Sequence, residues 1–383
     1  MPDSTPLVLS VVGTRPEVIK MAPVLRLLGS RSDLASRLCV TGQHRELLDQ
    51  ALGWFGLRPD VELRVMLPDQ ALAGLTARLL EGLDRTIAEC EPACVLVQGD
   101  TTTAMAAAMA AFYRRVPVAH VEAGLRTGDQ AQPFPEEMNR RVVDGLARWC
   151  FAPTEHARAN LLREGIPARA VHVTGNTVVD AALEIAARGS SPPEAIAGGL
   201  PPDARWVLVT THRRESFGGP LREIVLAVRD LARQFGGRVH FVVPVHPNPN
   251  VSAAVRDVLA GEPSCSIVPP LDYPDLLQVL RRSALVLTDS GGIQEEAPSF
   301  RVPVLVMRRV TERPEGVEAG FARVVGVERG AIVQAAVEAL EAPPPLDGAN
   351  PYGDGRAAER IVRILASEIA ARPATAARPG ARP

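Results

Sequence analysis

Lysine is almost missing from this chain: among 42 lysine and arginine residues, Lys20 is the only lysine. With surface positive charge otherwise carried by arginine, Lys20 reads as a residue with a specific polar partner and not as a snorkelling surface cation. Aromatic residues reach only 4% against 46% apolar residues, so the core must be built from Val, Ile, Leu and Ala, as in α/β proteins. No apolar run approaches the roughly 20 residues that a membrane-spanning helix needs. A net charge of −2 shows no basic excess, which argues against a dedicated nucleic-acid binder. The five cysteines are scattered and never form a CxxC pair, so neither a disulfide framework nor a zinc knuckle is expected. Reduced thiols fit a cytoplasmic location. "MPDSTPLVLSVVGT" has no basic n-region and no cleavage site, and reads as a first strand rather than a signal peptide.

Several reaction chemistries are missing as well. There is no GxxxxGK[ST] phosphate loop, because Lys20 follows an isoleucine. The single GxGxxA match, Gly353 to Ala358, follows a proline-rich loop instead of a strand and is set aside as a dinucleotide fingerprint. A Tyr-x-x-x-Lys dyad is excluded because Pro16 stands four residues before Lys20. His120 and Glu122 alternate onto one strand face, but no cluster has recognised metal-ligand spacing. Neither a cofactor nor a metal is expected.

What the chain does have is regular alternation. "LVLSVVG", "ACVLVQG", "VPVAHVE" and "WCFAPT" read as strands in the first half. "WVLVTTH", "VHFVVPVH", "ALVLTDS" and "VPVLVMR" read so in the second. Runs apolar on both faces are what a parallel sheet covered by helices requires. Strands alternating with helical patterns predict two α/β domains, each with an open, doubly wound sheet. The first spans 1–186 and the second 205–350, joined by the Pro- and Gly-rich linker 187–204. A helix over 355–371 is expected to cross back onto the first domain, and 372–383 to be a disordered tail.

Polar residues gather where the strands end: Gly13–Arg15, Asp100, Glu122, His212, His246, Asp289–Ser290 and Arg308. In open α/β sheets ligands lie beyond the carboxyl ends of the strands, so such a series predicts a functional cleft between two facing sheets. "TDSGGIQEEAPSF" runs strand, glycine pair, helix, which puts helix-start N–H groups where a diphosphate could sit. Ser290, Gly291 and Gly292 are candidates for that, and Glu295 or Glu296 for ribose hydroxyls. Plain helix capping is the alternative reading of the same stretch. "GTRPEVIK" has the same layout, with Arg15 and Lys20 placed to lean toward an anion.

Taken together, "GTRPEVIKMAP", "TGQHRELLDQ", "GDTTTA", "HVEAGLRTGD", "PFPEEMNR", "TGNTVVDA", "THRRESFG", "PVHPNPNV", "LTDSGGIQEEAP" and "TERPEGVEAG" resemble the non-hydrolysing UDP-N-acetylglucosamine 2-epimerases. The motifs run in family order from residue 13 to about 326, nearly the whole chain. The resemblance implies a GT-B fold of two Rossmann-like domains, usually a homodimer. It also implies interconversion of UDP-GlcNAc and UDP-ManNAc through elimination of UDP to a 2-acetamidoglucal. Matched position by position, Asp100, Glu122 and Glu136 take the catalytic carboxylate places and His212 that of the histidine. Arg15, Lys20, Ser290, Gly291, Gly292, Glu296 and Arg313 match UDP-contacting positions. Gln43, Gln70, Arg213 and His246 are looser candidates for a second, activating UDP-GlcNAc. Three departures from the pattern, Thr211, Leu276 and Val310, avoid the carboxylates and bear on affinity more than on reaction type. A 2-epimerase of another UDP-sugar, such as a diacetamido uronic acid, or a hydrolysing epimerase releasing ManNAc, would share this set.

Overall fold

The computed structural model describes residues 5–42, 45–67, 70–189, 192, 194–197, 204–211, 218–245 and 249–371. Half of the expected linker and all of the expected tail lie outside them. The chain divides into two compact units, Met1–Ala181 with Gly353–Pro383, and Ala182–Tyr352. The division falls inside the helix Thr177–Ala187, just ahead of the Pro- and Gly-rich stretch.

The first unit is built on β1 (Leu7–Val12), β2 (Ala35–Val40), β3 (Val61–Glu62), β4 (Cys94–Gln98), β5 (Val118–Val121), β6 (Trp149–Ala152) and β7 (Val171–Val173). They form one parallel sheet in the order β3-β2-β1-β4-β5-β6-β7. The central strands are apolar on both faces because helices cover both sides; every residue of β4, β5 and β6 is buried. The second unit holds β8 (Arg205–Thr210), β9 (Val239–Pro244), β10 (Cys265–Val268), β11 (Ser283–Thr288), β12 (Val304–Val306) and β13 (Ala322–Val324). Its sheet is also parallel, in the order β10-β9-β8-β11-β12-β13.

Both orders reverse direction after three strands. In the first unit the chain works outward from β1 to β3, then restarts at β4 on the other side of β1. In the second it does the same at β8 and β11. Each reversal opens a crevice at the carboxyl edge, between the loops after β1 and β4 and between those after β8 and β11. The last helix, Ala357–Ala370, packs on the first sheet's core through Ala358, Ile361, Val362, Leu365, Ala366 and Ile369. Ile361 and Leu365 have no exposed surface, and each such burial stabilises by roughly 1.5–3 kcal/mol. Asp180 caps the start of that helix, accepting from the amides of Ala357 and Ala358 at 3.2 and 2.8 Å. No helix among the described residues is long and apolar enough to cross a membrane.

Candidate active site

At the first reversal, β1 runs into Gly13 and Thr14, and β4 into Gly99, Asp100 and Thr101. Gly13 is required by close approach: a Cβ there would stand 2.3 Å from Thr103 Oγ1 and 2.7 Å from Thr41 Oγ1. The two loops are tied together by Glu17, in the first turn of the helix Arg15–Gly29. Glu17 Oε2 accepts from the Gly13 amide at 3.0 Å and the Thr14 hydroxyl at 2.8 Å, while Oε1 accepts from the Thr101 hydroxyl at 2.8 Å. Sequence reading gave Glu17 no role. Its only signal is position, a carboxylate one turn after a strand-end glycine, and that is also an ordinary helix-dipole placement.

Burial pushes the Glu17 carboxyl up to about 7, against hydrogen bonds from Thr14, Thr101 and Gly13 that pull it down. Native Glu17 therefore keeps a proton that the unfolded chain releases near the ordinary value of 4.5. Its contribution to stability is complete below that value and falls as pH rises toward about 7. Glu17→Gln is expected to flatten this fall. In denaturant titrations across that window, the destabilisation caused by the substitution shrinks as pH rises. A constant difference would mean that Glu17 is ionised throughout.

Asp100 and Glu122 follow the neighbouring strands β4 and β5. Asp100 is ion-paired with Arg140, and its backbone carbonyl accepts from Asn139 Nδ2 at 2.9 Å. Both partners lie on the helix Glu136–Leu146, where they stand three and four residues after Glu136. That spacing puts Glu136 on the face turned to Asp100. The two glutamates of "PFPEE" divide the work. Glu137 is fully buried and accepts from the amides of Thr127 at 3.1 Å and Gly128 at 3.4 Å. Glu136 is half-buried, and its carboxylate has no hydrogen bond or ion pair among the described residues.

Glu122 sits at φ +69°, a left-handed conformation uncommon for glutamate, with the cost of such backbone on the order of 1–3 kcal/mol. Its carboxylate lies against Gly99, with Oε1 4.0 Å from where a Gly99 Cβ would be. Oε2 is ion-paired with Lys20 and accepts from Asn176 Nδ2 at 3.2 Å. Lys20, read in the sequence as an anion's partner, is thus engaged with a carboxylate of its own chain. Arg15 is half-buried, its guanidinium 5.1 Å from the Trp54 ring centre. His120, two residues before Glu122, faces inward: Nδ1 is 2.7 Å from Asp144 and Nε2 2.8 Å from the Gly99 carbonyl oxygen.

At the second reversal the Thr210 and Thr288 hydroxyls are 2.6 Å apart, and the Ser290 amide donates to Thr288 Oγ1 at 2.9 Å. Ser290 precedes the short helix Gly291–Glu296 and makes no side-chain cap, which leaves its hydroxyl outside the capping role. Glu295 and Glu296 are both buried; Glu295 accepts from Arg313 Nε at 2.8 Å. The loop that carries Arg313 is held by Tyr352, whose hydroxyl accepts from the Gly316 amide at 3.0 Å and reaches the Arg313 carbonyl at 3.4 Å. Burial pushes that phenol well above its ordinary range, so it stays neutral and keeps its proton to donate. Nothing in the sequence alone marks Tyr352 for this role.

Gln70 is present in the first unit, its side-chain oxygen accepting from Arg78 and from the Leu67 amide. Gln43, His212, Arg213 and His246 lie outside the described residues. Of the departures from the family pattern, Leu276 is half-buried on the helix Tyr273–Arg282, and Val310 is exposed.

A family model described as UDP-N-acetylglucosamine 2-epimerase matches residues 26–366. The UDP-N-acetylglucosamine 2-epimerase of Yersinia pestis is 47% identical over 368 residues, 94% of this chain and 98% of the relative. The crystal structure of UDP-GlcNAc 2-epimerase from Neisseria meningitidis bound to UDP-GlcNAc matches with a TM-score of 0.87 and 41% identity, covering 94% of this chain and 100% of that one. That of Methanocaldococcus jannaschii UDP-GlcNAc 2-epimerase in complex with UDP-GlcNAc and UDP matches with a TM-score of 0.81 and 32% identity, covering 94% and 99%.

Proposed function

The chain belongs to the UDP-N-acetylglucosamine 2-epimerase family, and on that premise we propose that it interconverts UDP-GlcNAc and UDP-ManNAc at carbon 2 of the sugar, without net hydrolysis. The chemical difficulty is that the carbon 2 proton is not next to a carbonyl and is not acidic in the ordinary sense. Elimination avoids this: the carbon 2 proton and the UDP leaving group depart together, leaving a bound 2-acetamidoglucal. UDP then adds back to carbon 1 while a proton reaches carbon 2 from the opposite face. The reaction needs groups that give and take protons on both faces of carbon 2, and cations or N–H donors on the departing diphosphate.

The observation that carries this reading is the placing of Asp100 and Glu122 at the ends of adjacent strands, with the Glu136 helix seated on Asp100. We assign the proton work to Asp100, Glu122 and Glu136, and leaving-group stabilisation to His212. Arg15, Lys20, Ser290, Gly291, Gly292, Glu296 and Arg313 are assigned to the nucleotide. Gln43, Gln70, Arg213 and His246 are assigned to a second, activating UDP-GlcNAc. We propose that the enzyme works as a homodimer in the cytoplasm and supplies ManNAc-type precursors for cell-surface polysaccharide.

The test is proton NMR of the purified protein with UDP-GlcNAc in heavy water. UDP-ManNAc carrying deuterium at carbon 2, and deuterium in recovered UDP-GlcNAc, are the expected results. Free ManNAc with UDP would replace this reading with a hydrolysing one. No turnover with UDP still bound would reopen the choice of UDP-sugar.

A further inference from the structure

Behind the strand ends that carry Asp100 and Glu122 runs a buried polar chain to which the reaction gives no part. His120 has no exposed surface, and both of its ring nitrogens face oxygen: Asp144 Oδ1 at 2.7 Å and the Gly99 carbonyl at 2.8 Å. A neutral imidazole has one N–H and one lone pair, so it satisfies only one of two acceptors. The Gly99 carbonyl can only accept. Asp144 is held as a carboxylate by the Arg126 guanidinium, which is ion-paired with its Oδ2 at 2.8 Å beside the Gly124 amide at 3.3 Å.

We infer that His120 is a buried imidazolium, and that the His120–Asp144 pair is a positioning device that sets Asp100 and Glu122 for the reaction. The second half rests on the catalytic reading of those two carboxylates. Nε2–H fixes the Gly99 carbonyl and, through the planar peptide, the orientation in which Asp100 leaves β4. On β5 the same pair holds the chain on both sides of Glu122: His120 lies two residues before it, and Gly124, which donates to Asp144, two residues after. Backbone at φ +69° persists only where its surroundings over-determine it, and this pair supplies that restraint.

The charge is compensated where it sits. Arg126 continues from Asp144 to Glu164, with nitrogen–oxygen distances of 2.9 and 2.6 Å, so positive and negative groups alternate from His120 outward. Such alternation is what allows a buried ion to avoid the full cost of desolvation. On the neighbouring strand the group paired with His120 is Cys150, whose thiol burial pushes far above its ordinary range, so it adds no competing negative charge. The same geometry removes His120 from the metal-ligand candidates, because both nitrogens are engaged.

The test has two readouts. Nitrogen-15 NMR of the full-length wild-type protein should show one imidazole with two slowly exchanging ring N–H groups. That signal is expected to be lost in His120→Gln and perturbed in Asp144→Asn. An unprotonated nitrogen on the buried ring would overturn the imidazolium, whatever the activity and whether or not the variants fold. Kinetically, Asp144→Asn and His120→Gln should lower kcat on the order of 10²-fold, the loss expected from misplacing catalytic groups by about 1 Å. KM for UDP-GlcNAc and UDP affinity should stay near wild type, and Asp144→Glu should recover part of kcat. Unchanged kcat, or a loss confined to KM, would overturn the positioning role. Absence of wild-type turnover would count against the proposed substrate alone, since the NMR measurement uses the resting protein.

Discussion

Asp100→Asn and Glu122→Gln are each expected to lower turnover of UDP-GlcNAc by about 10²-fold or more while UDP still binds. Both substitutions keep size and nearly the same shape and remove the negative charge together with the ability to exchange a proton. Asp100→Asn retains the backbone carbonyl that accepts from Asn139 but loses the charge facing Arg140. Glu122→Gln retains an oxygen for Asn176 and loses the charge facing Lys20. The check is steady-state turnover beside a UDP titration of the same preparations. Near-wild-type turnover in either variant would remove that residue from the mechanism. Loss of UDP binding along with turnover would mark the carboxylate as a structural counter-ion instead. Solvent deuterium uptake separates the two carboxylates further: a variant that washes label into substrate but forms no epimer has lost the proton transfer on one face only.

Much of this arrangement was legible before any coordinates, for definite physical reasons. Strands covered by helices on both sides must be apolar on both faces, and β1, β4, β5, β6, β8, β9, β11 and β12 announce themselves that way. Four of the five strands that escaped are short or lie at a sheet edge. β3 is two residues long, β7 and β13 are three, and β10 at its sheet edge is only half-buried along its length. β2, "ASRLCV", carries a serine and an arginine in its partly exposed first half, and this hides its periodicity. The strand-end rule picks out Asp100 and Glu122 because parallel strands place all their carboxyl ends on one edge.

What the sequence did not disclose are partnerships across long stretches of chain. Glu17 meets Thr101 across 84 residues, and Lys20 meets Glu122 across 102. Asp144 looks like any acidic residue in a helix until His120 is found against it. Glu136 and Glu137 are neighbours of the same type in the first turn of one helix. Only burial separates the glutamate that holds the Thr127–Gly128 loop from the one we propose for proton transfer.

The second large effect concerns Lys20. Its ammonium and the Glu122 carboxylate are nearly buried, with side-chain exposures of 11% and 8%. Removing one member of such a pair leaves the other charge uncompensated, at a cost of about 3–5 kcal/mol. Lys20→Met should therefore lower the denaturation midpoint by that equivalent and reduce turnover through a displaced Glu122. Adding Glu122→Gln to it should recover most of the stability but none of the activity. If Lys20 also contacts the nucleotide, as proposed, the UDP titration weakens too; an unchanged titration would confine Lys20 to Glu122. Lys20→Arg is the sharper experiment, since every other basic position in this chain except histidine is an arginine. Arginine keeps the charge but replaces a compact, rotatable ammonium with a planar fork, which the space between the helix Arg15–Gly29 and the end of β5 must then accept. We expect turnover in Lys20→Arg to fall at least about tenfold, as for a misplaced catalytic group. Wild-type turnover with arginine would make the surviving lysine an accident of composition. A loss would show that geometry at the ammonium, and not charge alone, has kept one lysine where arginine took every other place.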